Sequence, residues 1–302
     1  MEEKGEMKKV MTLQAVLAGM ALAATASLAQ ASPYATELIA YSSDLTSSSL
    51  YNNPYAVLGA PTTNFKNTWG SAATARVKLV EPAYNVDLNG DKVITTLNTG
   101  SYIIAAFDHQ VENDPNNPYG IDFLVFGNSF YVGNGSVSDA TNMNTYTLTG
   151  GIFSEGVLVS VSQDGETWYT FSNGPSGDSA YPTNAYLWDA ENAVWTDTLS
   201  DFTKPVNPDL TVSSGDTAAS IIAAYEGSGG GTGFDLDDLH DLYGITLDWF
   251  QYIKVEGISG FSGGEIDAFA DVAAAPVPVP AAAWLLGSGL VGLVGLRRRR
   301  QD

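Results

Sequence analysis

The stretch "VLVSVSQDGETWYTF", residues 157–171, constrains this chain more than any other. Val157, Val159 and Val161 alternate with Leu158, Ser160 and Ser162, the two-residue period of a strand that buries one face. Asp164 and Gly165 follow, a pair suited to the positive φ angles of a type I′ hairpin turn. Beyond the turn, Tyr169 and Phe171 share a face and Trp168 takes the other. A chain that spends its apolar residues this way is building antiparallel sheet.

The same pattern recurs along the molecule. Strands are expected over residues 76–80, 101–108, 121–127, 156–162, 167–171, 250–256 and 265–272, parted by clusters of Gly, Asn, Asp, Ser and Pro. Helical spacing is confined to residues 216–225, where Ala218, Ile221, Ile222 and Tyr225 fall at i, i+3, i+4 and i+7. No repeat and no linker divides residues 32–275, so a single domain is expected there. Its class is all-β: an antiparallel two-sheet sandwich, jelly-roll-like and rich in hairpins, with a minor helix. Residues 181–210, with Trp188 and Trp195 among polar neighbours, are expected to form a long loop or an extra hairpin.

Both ends differ from this body. Lys8 and Lys9 precede an apolar run over residues 10–28, and Ala29-Gln30-Ala31 stands before Ser32. That is the layout of a signal peptide, residues 1–31, cut by signal peptidase at an A-x-A site, with Met1 or Met7 as the start. At the other end, residues 281–296 hold no charge and Arg297, Arg298, Arg299 and Arg300 follow. A helix of sixteen residues would be about 24 Å long, shorter than the roughly 30 Å hydrocarbon core of a bilayer. The arginines would hold its end in the cytoplasm and leave the body outside.

Charge separates the body from its ends still further. Residues 32–275 carry 6 basic and 30 acidic side chains, a net of −24. A field of that sign repels nucleic acid and attracts cations. The chain has no cysteine, which removes disulfides, thiolate catalysis and Cys-ligated metals. Stability must come from the core, which a body of this length can bury.

The motif "VPVPAAAWLLGSGLVGLVGLRRRR" resembles the PEP-CTERM sorting signal of Gram-negative surface and exopolysaccharide-associated proteins. Pro278-Val279-Pro280 stands where the usual motif is Pro-Glu-Pro. The resemblance implies a sorting signal over residues 276–302, with a transmembrane helix over 281–296 that anchors the protein until an exosortase-type protease cuts near the prolines. The body would then reach the cell surface or the extracellular matrix.

Candidate ligands for a metal are acidic. "GFDLDDLHDL" gathers Asp235, Asp237, Asp238 and Asp241, and such crowding is relieved by a hard cation such as calcium or by a helix N-terminus. Asp122, Asn128, Asp267 and Asp271 stand at expected strand ends as further oxygen donors. "DLNGDKVITTLN" has oxygens at EF-hand positions 1, 3 and 5 but Lys92 and Asn98 at positions 6 and 12. It therefore reads as an Asn89-Gly90 turn. His109 and His240 are isolated, and no nucleophile elbow, zinc-protease or nucleotide motif is present.

The segments "GIDFLVFGNSF", "VLVSVSQDGETWYTF", "FDLDDL", "YGITLDWFQYIKVEG" and "IDAFADV" together resemble a family of bacterial cell-surface β-sandwich proteins, loosely galactose-binding-like. That family tends to have Glu before the Asn, where this chain has Gly127-Asn128. The resemblance implies a non-catalytic extracellular module that binds calcium or glycan. Three functions are therefore expected of this sequence, in this order. It is a surface or matrix interaction module with extracellular polysaccharide as partner, a specific carbohydrate-binding module using Trp188 and Trp195, or a secreted glycoside hydrolase.

Overall fold

The computed structural model describes residues 31–66, 74–258 and 263–272. The remainder of the signal segment, Trp69, and everything from residue 273 onward, including the apolar run 281–296, lie outside the described residues. Among the described residues no helix is long and apolar enough to cross a membrane.

Among the described residues fifteen strands are formed: β1 Glu37–Tyr41, β2 Asn64–Phe65, β3 Ala75–Arg76, β4 Thr95–Leu97, β5 Tyr102–Glu112, β6 Phe123–Gly127, β7 Phe130–Gly133 and β8 Leu148–Phe153, then β9 Val157–Ser162, β10 Tyr169–Thr170, β11 Tyr186–Asp189, β12 Val194–Leu199, β13 Thr232–Phe234, β14 Trp249–Gly257 and β15 Gly264–Asp271. Two short helices, α1 Ala218–Ala224 and α2 Asp238–Tyr243, complete the regular structure with two 3₁₀ turns. The chain is mostly β and its strand pairs are antiparallel, as its alternating segments require.

Five strands form one sheet in the order β1-β5-β14-β9-β10, and four form another in the order β13-β6-β15-β4. Side chains from both meet in one core. Ile103, Ala105 and Phe107 of β5, the three valines of β9, and Ile253 and Val255 of β14 join Phe123 and Val125 of β6 and Phe269 of β15. Phe123 stacks on Phe234 at 5.0 Å and meets Phe250 edge-on at 4.9 Å, contacts that add to area burial.

The two sheets read differently in sequence for a physical reason. β9 alternates because its outward face carries polar side chains that are covered yet hydrogen-bonded, Ser160 with Thr170 and Ser162 with Asp164. β6, "FLVFG", is buried at every position, because Leu124 and Phe126 enter a second core with Phe65, Val77, Ala185 and Phe202 behind the four-stranded sheet. A strand covered on both faces reads as a continuous apolar run. A third core packs α1 and the hairpins β7-β8 and β11-β12 around Tyr225, Met143, Leu148 and Trp195.

Three local expectations differ from the structure. The β9-β10 loop spans six residues, and of its Asp164-Gly165 pair only Gly165 has positive φ, at 76°. The Asp164 carboxylate replaces the tight turn by accepting N–H bonds from Glu166 and Thr167 at 2.8 and 2.7 Å, an Asx-type closure. The strand expected over 76–80 stops at Arg76, because Lys78 and Glu81 exchange backbone hydrogen bonds across a turn. Hairpins do not dominate the main sheets either. From β4 through β6, and again from β13 to β15, successive strands alternate between the two sheets. Residues 181–210 do supply a hairpin, β11-β12.

Candidate functional site

The oxygen donors singled out from sequence fall into four places, the last of them Asp271 beside His109. The first is the turn between β13 and α2. Asp235 accepts the Asp237 N–H at 2.8 Å, Asn113 donates to Asp237 at 2.8 Å, and Asp238 and Asp241 sit in the first turn of α2. Gly244, at φ 67°, ends that helix, its N–H bonding the His240 carbonyl at 2.7 Å. Burial, then the neighbouring carboxylates, raise the pKa values of Asp235 and Asp238. Asp122 belongs to the same region. Its oxygens accept N–H bonds from Leu236 at 2.9 Å and Asp114 at 3.1 Å and from the Asn117 amide at 3.2 Å. Burial pushes it up to about 6 against those bonds. It ties two loops to the start of β6.

The second place is Asp267, buried in β15. Its carboxylate takes the Thr62 N–H and hydroxyl, both at 2.8 Å, and burial raises it to about 7. The third is Asn128, which the fold sets among acids that the sequence reading did not single out. Asp178, 2% exposed, accepts the N–H groups of Asn128 and Ser129 at 3.2 and 3.0 Å. Gly127 makes this possible, since a Cβ there would lie 2.2 Å from the Glu265 carbonyl oxygen and 2.3 Å from the Asp178 Cγ. Thr96 donates to Glu265 at 3.0 Å, and Glu155 and the Asn128 side chain also hydrogen-bond it. Burial raises Asp178 to about 8 and Glu265 to about 7, the latter with help from Glu155. The Asn128 Oδ1 is buried and accepts no hydrogen bond from the described residues.

Among the described residues no group of three or more His, Cys, Asp or Glu side chains is placed to hold a metal ion. The carboxyls of Glu155 and Glu265 hydrogen-bond each other, closer than the roughly 5 Å or more that a glycosidase pair needs to flank its scissile bond.

His109 bridges the sheets. Its Nδ1 and Nε2 each lie 2.9 Å from a carboxylate oxygen, of Asp108 on β5 and of Asp271 on β15. Burial alone would lower its pKa, but the two carboxylates overcome that and raise it. Burial likewise raises Asp271, offset in part by the histidine. His240 is exposed beside Asp241.

Trp188 and Trp195 pair across the β11-β12 hairpin, ring centroids 5.1 Å apart and edge-on. The Trp188 Nε1 donates to Asn144 at 2.8 Å. Trp195 is 8% exposed and its Nε1 has no partner among the described residues. Its ring borders a cleft of about 500 Å³ together with Asn64, Arg76, Asp139, Ala140 and Val194.

That cleft holds a charge network no local motif announces. Lys78 is wholly buried, and its ammonium donates to Glu81 at 2.5 Å, Asp139 at 2.7 Å and the Arg76 carbonyl at 2.8 Å. Arg76 lies over the Tyr186 ring at 4.8 Å and bonds Asp197 at 2.9 Å and the Thr196 carbonyl at 3.2 Å. Asn64 in turn donates to the Tyr186 hydroxyl at 2.7 Å. Two of the body's six basic residues stand here two positions apart, and Arg76 meets its partner Asp197 across 121 residues of chain. The only hint in the sequence is their rarity.

Fold and site together define an all-β protein with buried carboxyls and polar clefts. No protein-family model matches the chain, and no curated protein sequence matches it.

Proposed function

We propose that this chain is a secreted, surface-sorted, non-catalytic protein of the cell envelope or exopolysaccharide matrix of a Gram-negative bacterium, acting as an adhesion or interaction module. Its two main sheets are read as the layers of a jelly-roll-like sandwich, a reading supported by the core they share. One observation carries the functional reading: Pro278-Val279-Pro280, the uncharged run 281–296 and Arg297 to Arg300 follow one another in the order of a sorting signal. The Lys8-Lys9 run ending at Ala29, Ala31 and Ser32 supports the same export route. A body charge of −24 suits a soluble extracellular protein and disfavours nucleic acid. Calcium remains a proposed ligand of the Asp235 to Asp241 turn and of Asp122, Asn128 and Asp267, tested by thermal unfolding with calcium and with chelator.

Mass spectrometry of the protein recovered from producing cells tests the sorting reading. The expected mature form starts at Ser32 and ends near Pro280. Recovery from the cytosol with both ends intact would overturn it.

A further inference from the structure

We propose that the cleft beside Trp195 and a second cleft sharing its Asn64 wall form one binding groove for an uncharged, linear oligosaccharide. The second cleft, about 430 Å³, is bordered by Tyr55, Thr62, Asp87, Asp91 and Lys92 as well as Asn64. Neither is an apolar pocket; both are lined by side chains that donate and accept hydrogen bonds. Sugar hydroxyls do both at once, which such a mixed lining satisfies.

Each cleft has one aromatic residue on its border. Tyr55 is 61% exposed on a 3₁₀ turn that Asn53 caps through the Tyr55 N–H at 3.2 Å. Trp195, 8% exposed, borders the first cleft, and its buried indole N–H lacks an acceptor among the described residues. Ring faces stack on the apolar faces of sugars. The turn beside Trp195 holds Ala193 at φ 52°, a strained conformation for alanine of the kind that collects at binding sites.

Charge selects a neutral ligand over an anionic one. Arg76 is engaged by Asp197 and Thr196, Lys78 by Glu81 and Asp139, and Lys92 by Asn52 at 2.5 Å. Each cation of the groove therefore already has a protein partner. Asp139 is held between the Lys78 ammonium and the Arg76 N–H at 3.2 Å, so its carboxylate is fixed before any ligand arrives, which lowers the entropy cost of binding. The matrix reading above enters only in saying which sugars the groove would meet.

The test is calorimetric titration of the mature protein with cellotetraose, maltotetraose, mannotetraose and tetragalacturonate, with tryptophan fluorescence read in parallel. At least one neutral tetrasaccharide is expected to bind and to shift the emission. Tyr55→Ala should weaken that binding about tenfold, the worth of one lost contact, with the thermal midpoint unchanged, and Asn64→Ala should weaken it by a similar factor. Binding of none of the neutral sugars, preference for tetragalacturonate, or affinity untouched by Tyr55→Ala and Asn64→Ala would each overturn the groove. These readouts are independent of the mature termini, so either reading can fail while the other stands.

Discussion

Two regions of this molecule bury charge, and they neutralise it in opposite ways. Around Lys78, two carboxylates face one ammonium that has no exposure at all. Around Gly127, Asp178 and Glu265 are buried beside Glu155 and are bonded by N–H, hydroxyl and amide groups and, for Glu265, by the Glu155 carboxyl. The first region holds its charges by pairing. The second holds protons instead, because desolvation with no counter-ion disfavours the carboxylate form. With only six cations in the body, most of its buried acids must take the second route.

The largest expected effect comes from breaking the pair. Lys78→Met leaves Glu81 and Asp139 without their ammonium and should cost about 4 kcal/mol in urea unfolding, the usual penalty for orphaning a buried charge. A loss below about 1 kcal/mol would show that the network is solvated.

Next comes the proton-held region. Asp178, at about 8, and Glu265, at about 7, are both raised above their unfolded values. The folded state then binds more protons than the unfolded one, so stability falls as pH rises from about 4 toward 8. Asp178→Asn mimics the protonated form. It should unfold like the wild type near pH 4 and be more stable by about 2 kcal/mol at pH 8, a value below full linkage because such sites relax on ionising. Parallel stability curves for the two proteins would refute the proton-held state.

A smaller effect is expected at His109, whose raised pKa gives the reverse sign. Its stabilisation is present below about pH 6.5 and is lost as pH rises through the folded-state value. His109→Gln should cost about 1 kcal/mol at pH 5.5 and almost nothing at pH 9, by the usual worth of a half-exposed charged hydrogen bond. A pH-independent loss would mean that His109 acts by packing.

The smallest change belongs to the exposed Asp164 loop. Its carboxylate is lowered to about 2 by the Thr167 and Glu166 N–H groups, so its contribution exists above about pH 4 and fades as pH falls toward 2. Asp164→Ala should lower the thermal midpoint at pH 7 less than His109→Gln does at pH 5.5. A larger drop would place that loop within the cooperative fold.

The same contrast explains what was legible in the sequence. Alternation in Val157 to Ser162 and the apolar run in Phe123 to Gly127 announced strands because each side chain reports its own surroundings. The spacing of Ala218, Ile221 and Ile222 announced α1 for that reason too. β4, β7, β8 and β13 went unannounced, being short or polar or rich in glycine. The carboxyl cluster was hidden because Asp178 meets Ser129 across 49 residues and Glu265 meets Thr96 across 169. Arg76 and Asn64 were hidden likewise: no local spacing encodes a cleft assembled from two hairpins. Trp195 alone was marked, as an aromatic in polar surroundings, and the fold gives it both a core contact and a cleft wall.

The strand order has a temporal consequence. β14 lies at the centre of the five-stranded sheet and β15 between β6 and β4, so the last two strands to be synthesised are inner members. A nascent chain emerging amino end first can close β7-β8 or β11-β12 early, yet neither large sheet is continuous until residues 249–271 have appeared. High contact order of this sort slows folding, and here it also postpones compaction until residues 249–271 have left the ribosome.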